Sequence, residues 1–404
     1  MIGSGIFLLP ASLAKYGGIS LVGWILSAIG GVIIARVFSD LAKRFPKSGG
    51  PYEYSKQGFG NFVGFLVAWG YWIAIVTTNA AIVVTMISYM SVFFPVLAEN
   101  PIISIITGLI IIWGLTYVNC RGIKEAGWIQ LVTTVLKLVP LLAIGLVGLF
   151  FVNASHFTPF NVSEESDLSA IILTTTLTLF AFLGVESASI PSSNIKNPQV
   201  TIPKATMLGT WVTVLVYIIG TVAVMGIIPP ETLAISDAPF ADAAAVIWGE
   251  SYRKWVSAGV IISTFGALNG WILMQGQIPF AAANDGLFPK LFKRSNSNKL
   301  PVGSLVFSSV LISGFMLMNY SKSLIETFEF MILLSTLTCL VPYLFSSATH
   351  LLISIRSKKS FAWILGGLAF VFSLGAIVGS GEEIVFWGFI ILMAGIPLYV
   401  WTQR

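Results

Sequence analysis

Long apolar runs constrain this chain more than any other feature. Residues 102–117, 131–152 and 210–228 consist mainly of hydrophobic side chains. A membrane-spanning helix needs roughly 20 apolar residues, whereas the strands of a membrane barrel are about 10 residues long and alternate in polarity. Backbone polar groups in lipid must find partners within the chain, and a helix satisfies them locally. The runs therefore predict an all-α bundle of membrane-spanning helices.

The composition excludes a soluble domain and indicates no cofactor. The 404 residues are 56% hydrophobic and 10% charged, whereas about a quarter of a soluble domain is charged. The two cysteines and two histidines are isolated, without the spacing of a metal site. The net charge of +5 does not indicate nucleic acid, because basic residues accumulate in the cytoplasmic loops of membrane proteins. We therefore interpret residues 1–404 as one transmembrane domain surrounded by lipid.

Twelve apolar segments are predicted as spans. They lie near residues 1–15, 19–42, 60–94, 102–118, 127–152, 168–190, 205–228, 252–283, 302–319, 324–355, 361–379 and 384–402. The first is expected to be incomplete, because about 15 residues cannot cross a bilayer. Most of the 22 basic residues fall in alternate loops and in the tail, which predicts a cytoplasmic C-terminus in a bacterial inner membrane.

Two spans carry glycine interruptions. Gly3, Ser4 and Gly5 interrupt the first segment, and Gly184 precedes Glu186 in the sixth. A broken helix frees backbone N–H and C=O groups at the middle of the membrane, where transporters bind charged substrate groups. Close packing of small residues is the alternative interpretation. A carboxylate within a span is costly and usually has a function, so the pairing with Glu186 favours a binding site.

Two further features lie inside predicted spans. Lys137 lies well inside the fifth span, where apolar surroundings favour a neutral amine, and we interpret it as a proton-coupling group or a fixed cation in place of Na⁺. A purely stabilising lysine is the alternative.

A polar and aromatic stripe is predicted from Tyr71, Ile75, Asn79 and Ile82 on one helix face, with Trp271, Gln275 and Ser335 on other spans. Such a stripe suits an amino acid side chain or a cation, although ordinary helix packing is the alternative for any one aromatic.

No enzyme signature competes with these features. The phosphate-binding pattern G-x-x-x-x-G-K-[ST] is absent from the sequence, so we do not expect the chain itself to hydrolyse ATP.

Three motifs support a resemblance to a known family. MIGSGIFLLP at residues 1–10, FLGVESA at 182–188 and ANDGLFP at 283–289 resemble the amino acid–polyamine–organocation superfamily. Within it the chain looks most similar to the basic amino acid/polyamine antiporters, especially those that exchange arginine and agmatine. The resemblance implies the leucine-transporter fold, with inverted repeats at about residues 1–152 and 168–355 and peripheral helices at about 361–402. It also implies a homodimer.

The resemblance implies roles for individual residues. The Gly-Ser-Gly segment would bind the substrate carboxylate, and carbonyls around residues 180–183 would bind the α-amino group. Substrate-binding positions are matched by Ile2, Gly3, Ser4, Gly5, Asn79, Ile82, Phe180, Leu183, Trp271 and Ser335. Gating and coupling positions are matched by Tyr52, Tyr71, Glu186 and Tyr343, with Tyr52 at a tyrosine linked to pH response. Lys137 instead resembles the fifth-span lysine of proton-coupled, broad-specificity transporters in the same superfamily.

The chain departs from the arginine/agmatine pattern at three pocket positions. Phe180 replaces a tryptophan that stacks on the guanidinium, and Ile75 and Ile82 replace cysteine and methionine. Phenylalanine is a weaker cation–π partner than tryptophan. In that family an asparagine and a cytoplasmic half-helix precede the Gly-Ser-Gly motif, and both would fall before Met1.

These observations predict a secondary transporter of amino acids that works by alternating access. Exchange of basic amino acids and their amines is the leading hypothesis, with an amino acid or amine as substrate and a proton as the candidate coupling ion. A proton-coupled permease for neutral or broad-range amino acids is one alternative. A non-transporting or degenerate membrane paralogue is another, because the first helix is incomplete.

Overall fold

The computed structural model describes residues 3–122, 138–190, 192, 195–296, 300–318, 322–357 and 360–403. The helices in the first part of the chain are α1 (Gly5–Ala14), α2 (Ser20–Arg44), α3 (Pro51–Phe59), α4 (Asn61–Met90), α5 (Val96–Glu99), α6 (Pro101–Arg121), α7 (Leu138–Phe151) and α8 (Asp167–Leu179). They are followed by α9 (Pro198–Ile227), α10 (Pro230–Leu233), α11 (Pro239–Trp248), α12 (Glu250–Asn284), α13 (Val302–Met318), α14 (Leu324–Arg356), α15 (Ser360–Val378), α16 (Glu382–Met393) and α17 (Gly395–Thr402).

The prediction of an all-α membrane protein is confirmed. Nine helices within the described ranges are long and apolar enough to cross a membrane. The shorter apolar helices α7 and α13 fall within the fifth and ninth predicted spans. The ten residues of α1 extend about 15 Å, roughly half of a hydrocarbon core.

The bundle is organised around α4. Of the residues in the most apolar stretch of α4, 94% are buried inside the protein. The helix packs against both α12 and α14. The corresponding buried share is 22% in α15 and 17% across α16 and α17. The last two spans therefore lie at the periphery, whereas a helix that is apolar on all sides can occupy the centre.

The sixth span is interrupted, as predicted. After α8 the chain forms a 3₁₀ turn from Phe180 to Phe182 and becomes extended at Leu183, with ψ 141°. Gly184 follows with φ +97°, a conformation that costs glycine little and other residues much more. A second 3₁₀ turn covers Ser187–Ser189. Glycine thus places the break immediately before Glu186.

Some predicted boundaries were wrong. The segment at 229–251 was expected to be a loop, but it contains the short helices α10 and α11. The third predicted span ends four residues early, at Met90. The predicted last span is found as one span, Glu382–Thr402. Within it α16 ends at Met393, because Pro397 has no N–H for the carbonyl of that residue, and α17 follows.

Candidate functional site

The Gly-Ser-Gly segment forms the entrance to α1. Ser4 is the N-cap of α1 and is buried, and the amide of Gly3 donates a hydrogen bond of 3.2 Å to the Tyr217 hydroxyl on α9. The first amides of a helix have no partner within the helix and carry a partial positive charge. This end of α1 can therefore attract a carboxylate.

The break in the sixth span lies directly against this helix end. A Cβ atom added to Gly5 would lie 2.9 Å from the ring of Phe180. The edge of Phe180 in turn meets Phe328 of α14, with ring centroids 6.2 Å apart. Because Gly5 has no side chain, the start of α1 lies closer to Phe180 than it could with any other residue at position 5.

A small cavity lies between the start of α1 and the break in the sixth span. Its volume is about 20 Å³. It is lined by Gly3, Ser4, Gly5, Thr78, Ile82, Phe180, Ala181, Leu183, Tyr217 and Trp271. One ordered water needs about 10–15 Å³ on the same measure. The cavity therefore has room for about one water, and an amino acid can enter only if the surrounding segments move apart.

Thr78 of α4 contributes a polar group to the wall of the cavity. The hydroxyl oxygens of Thr78 and Ser335 lie 2.6 Å apart, and the Ser335 hydroxyl also donates to the carbonyl of Ala74. Asn79 does not line the cavity, because its side-chain amide donates instead to Gln275 of α12 at 2.7 Å. The hydroxyl that faces the cavity thus belongs to Thr78, one residue earlier on the same helix.

Glu186 lies immediately after the break and is 1% exposed. Its two carboxylate oxygens accept hydrogen bonds from two tyrosines, Tyr71 on α4 at 2.5 Å and Tyr343 on α14. A buried carboxylate is costly unless it is hydrogen-bonded, and two hydroxyl donors reduce that cost. The cluster connects the interrupted span to the two central helices.

A second polar cluster closes the end of the bundle where α3 meets α12. The Tyr52 hydroxyl donates to Oδ2 of Asp285 at 2.5 Å, and Lys56 donates to the same oxygen at 2.8 Å. Burial, and then the hydrogen bond to Asp285, raises the pKa of Tyr52 above its usual value. Burial alone would raise the pKa of Asp285 also, but the bonds from Lys56 and Tyr52 outweigh it and hold that pKa below its usual value. We call this cluster the Tyr52 latch.

The structure brings most of the predicted site residues together. Those that line the cavity are Gly3, Ser4, Gly5, Ile82, Phe180, Leu183 and Trp271. Asn79 and Ser335 lie behind them, and Tyr71, Glu186 and Tyr343 form one cluster. Tyr52 belongs to the latch. Ile2 and Lys137 lie outside the described residues.

Three lining residues were not among the individually named site residues, namely Thr78, Ala181 and Tyr217. Thr78 adjoins the predicted polar stripe, and Ala181 lies inside the predicted break. Tyr217 gave no signal in the sequence, because its place near Gly3 depends on how α9 packs against the start of the chain.

Comparison with solved structures supports the fold. The chain superposes on a Na⁺-coupled sialic acid symporter in a substrate-bound outward-open state, with a TM-score of 0.55 over 96% of this chain and 87% of that chain. The sequences are only 11% identical, so the match shows the fold alone. The chain thus shares the fold of that symporter, an all-α bundle of membrane-spanning helices with a break in its sixth span.

Sequence comparison shows the family. The amino acid permease family profile matches residues 1–400. A cadaverine/lysine antiporter of Escherichia coli K12 is 36% identical over 95% of this chain and 87% of that protein. An arginine/ornithine antiporter of Pseudomonas aeruginosa is 32% identical over 94% and 83%, and the putrescine transporter PotE of E. coli K12 is 30% identical over 99% and 92%. The chain belongs to the amino acid permeases, within their basic amino acid/polyamine antiporters.

Proposed function

We propose that the protein exchanges basic amino acids for their decarboxylated amines across the inner membrane by alternating access. The observation that carries the proposal is the cavity between the start of α1 and the break in the sixth span, with Phe180 and Trp271 in its wall. The relatives are named for cadaverine with lysine, for arginine with ornithine, and for putrescine. The motifs resemble those of arginine/agmatine exchangers, but Phe180, Ile75 and Ile82 depart from that pattern and argue against strict exchange of arginine for agmatine.

The site offers a separate group for each part of such a substrate. The amides at the start of α1 suit a carboxylate, and carbonyls of residues 180–183 suit an ammonium group. Aromatic faces of Phe180 and Trp271 suit the side-chain cation. The described lining includes no carboxylate, so the cation would be held by ring faces and neutral oxygens. A diamine without a carboxylate could use the same groups, which fits exchange of an amino acid for its amine.

Alternating access requires that each end of the cavity can close. At one end Lys15, which follows α1, pairs with Glu329 of α14 at 2.7 Å. At the other end the Tyr52 latch joins α3 to α12. Between these two contacts lies the cavity of about 20 Å³, which is too small for an amino acid. Substrate binding would then stabilise forms in which one closure is open.

The first experiment measures uptake of labelled arginine and labelled lysine into proteoliposomes without a pH gradient. Vesicles are loaded with unlabelled arginine, lysine, agmatine, cadaverine or leucine, or left empty. We expect uptake only into vesicles that contain a basic amino acid or an amine. Equal uptake into empty vesicles would contradict exchange, and uptake driven equally by internal leucine would contradict the basic substrate.

A proton-coupled permease for neutral or broad-range amino acids is the second candidate. Lys137 favours it, because an ammonium group inside a span can exchange a proton near neutral pH. This candidate predicts leucine or alanine uptake into empty vesicles when the outside is acidic, and loss of that uptake in Lys137→Met. If the protein takes up no substrate under any of these conditions, it is a non-transporting paralogue instead.

A further inference from the structure

A wide groove lies apart from the substrate cavity, at the end of the bundle that carries the basic loop between α12 and α13. Its volume is about 640 Å³, within the range of about 300–1,000 Å³ typical of ligand pockets. Trp69 and Trp72 of α4, Phe307 of α13 and Trp401 of α17 form its walls, and residues 286–293 form its rim. We call it the α17 groove.

The walls of the α17 groove present apolar ring faces. The indole N–H of Trp69 donates to the carbonyl of Ile391, and that of Trp72 donates to the Ser308 hydroxyl, each at 2.8 Å. Both polar groups are therefore satisfied within the protein, and the groove receives only the hydrocarbon parts of these rings. Trp72 and Phe307 stack at 5.9 Å, so this wall is formed without a ligand.

The outer side of the groove faces the surroundings of the protein. Trp401 is 65% exposed and Phe307 is 41% exposed, on helices at the lipid-facing edge of the bundle. Tryptophan is enriched where the hydrocarbon core of a membrane meets the headgroups. The groove therefore opens sideways towards lipid at the depth of the headgroups.

The rim of the groove is basic. Lys290 and Lys293 both line it, both are exposed, and neither forms an ion pair with another described residue. Asp285, the nearest acidic residue along the chain, is already paired with Lys56. An anion at the rim would thus meet two ammonium groups that have no described carboxylate partner.

We infer that the α17 groove binds one anionic phospholipid, whose acyl chains lie against Trp69, Phe307 and Trp401 and whose phosphate lies between Lys290 and Lys293. Apolar walls and a basic rim together match a molecule that has both hydrocarbon and an anion. Basic pockets between spans on the cytoplasmic side of membrane proteins hold anionic headgroups in the same way. A free phosphate would use only the rim, and a second copy of the chain would need only the apolar wall.

The test is native mass spectrometry of the full-length protein in detergent, titrated with phosphatidylglycerol. We compare Lys290→Gln/Lys293→Gln with Lys196→Gln/Lys204→Gln, which removes two exposed basic residues of α9 and the loop before it. Each lysine contributes about fivefold to binding at an anionic lipid surface, so we expect about 30-fold weaker binding for the first variant. The matched control should bind as the wild type does. Equal binding by both variants would overturn the inference.

Two further measurements test the alternative occupants of the α17 groove, a free phosphate and a second copy of the chain. Glycerol phosphate, which has no acyl chain, should not displace the lipid at equal concentration, and equal displacement would indicate a phosphate site instead. Trp401→Ala should weaken lipid binding without changing the mass of the protein particle. A change from dimer to monomer with unchanged lipid binding would show that the groove is an interface between copies. In the wild type, lipid binding should weaken as salt is raised, because the contact to the rim is ionic.

Discussion

The Tyr71 hydroxyl donates a hydrogen bond of 2.5 Å to Glu186, from a helix 115 residues earlier in the chain. Tyr71 belongs to the central helix α4, whereas Glu186 follows the break in the sixth span. With Tyr343 on the second carboxylate oxygen, the carboxylate fixes an interrupted segment to two continuous helices. Movement of that segment relative to the scaffold must change these hydrogen bonds.

Replacing Tyr71 by Phe removes one of the two donors and leaves a buried carboxylate oxygen without its partner. The expected loss is about 1–3 kcal/mol in the free energy of unfolding, with slower exchange. Thermal unfolding and arginine exchange in proteoliposomes measure the two effects. Tyr252→Phe is the control, because Tyr252 is 49% exposed. If Tyr71→Phe behaves as Tyr252→Phe does, the cluster has no part in either property.

Replacing Phe180 by Trp should increase selectivity for basic substrates. The ring of Phe180 lines the cavity, and an indole face attracts a cation more strongly than a phenyl face does. Selectivity is measured as the concentration of unlabelled leucine that halves uptake of labelled arginine, divided by the concentration of unlabelled arginine that does so. We expect this ratio to rise by about two- to fivefold. Phe180→Leu keeps the site apolar and removes the ring, so the ratio should fall. A change in the same direction in both variants would exclude cation–π recognition at this position.

Replacing Gly5 by Ala should prevent the close approach of α1 to Phe180 in the sixth span. The added methyl group would lie 2.9 Å from the Phe180 ring, closer than side-chain carbons pack. We expect exchange to fall by at least about tenfold, because one closure of the transport cycle is blocked. The control is Gly114→Ala on α6, where an added Cβ meets nothing within 4 Å. Full activity of Gly5→Ala would mean that the two segments need not approach so closely.

The Tyr52 latch should keep its charge state from about pH 5 to 8, because its tyrosine has a raised pKa and its aspartate a lowered one. A lowered aspartate pKa gives stabilisation that is present above the usual pKa and lost only as the pH falls through the lowered value. Closure at this end should thus be independent of pH in that range. A pH response of transport between pH 5 and 8 should therefore arise from other groups.

Asp285→Asn should open the same end of the protein by removing the charge that Lys56 contacts. The buried thiol of Cys339 provides the measurement, in a Cys120→Ser background that removes the more accessible cysteine. Labelling should be up to about fivefold faster, because partly exposed ion pairs contribute about 0–1 kcal/mol. Glu250→Gln, at the opposite end of α12, should leave the labelling rate unchanged. A labelling rate unaffected by Asp285→Asn would show that the latch does not control access.

The site was predictable where the chain carries its own signal. Gly184 inside an apolar run marked the break in the sixth span, because a break in a helix at membrane depth needs a residue that tolerates unusual backbone angles. Glu186 was predictable because a carboxylate within a span is rare. Tyr217, which meets Gly3, and Lys15, which pairs with Glu329, were not predictable as contacts, since each joins residues more than 200 positions apart.

Hydrophobic run length alone determined that this chain is a bundle of membrane helices, because lipid leaves the backbone no other partner than itself. Gly184 within one of those runs determined where the sixth span is interrupted. Only the tertiary structure decided that Thr78 rather than Asn79 faces the cavity, that two tyrosines share one carboxylate, and that the cavity has a volume of only about 20 Å³. These features depend on the rotation and approach of helices distant in sequence, which side-chain packing sets and local sequence does not.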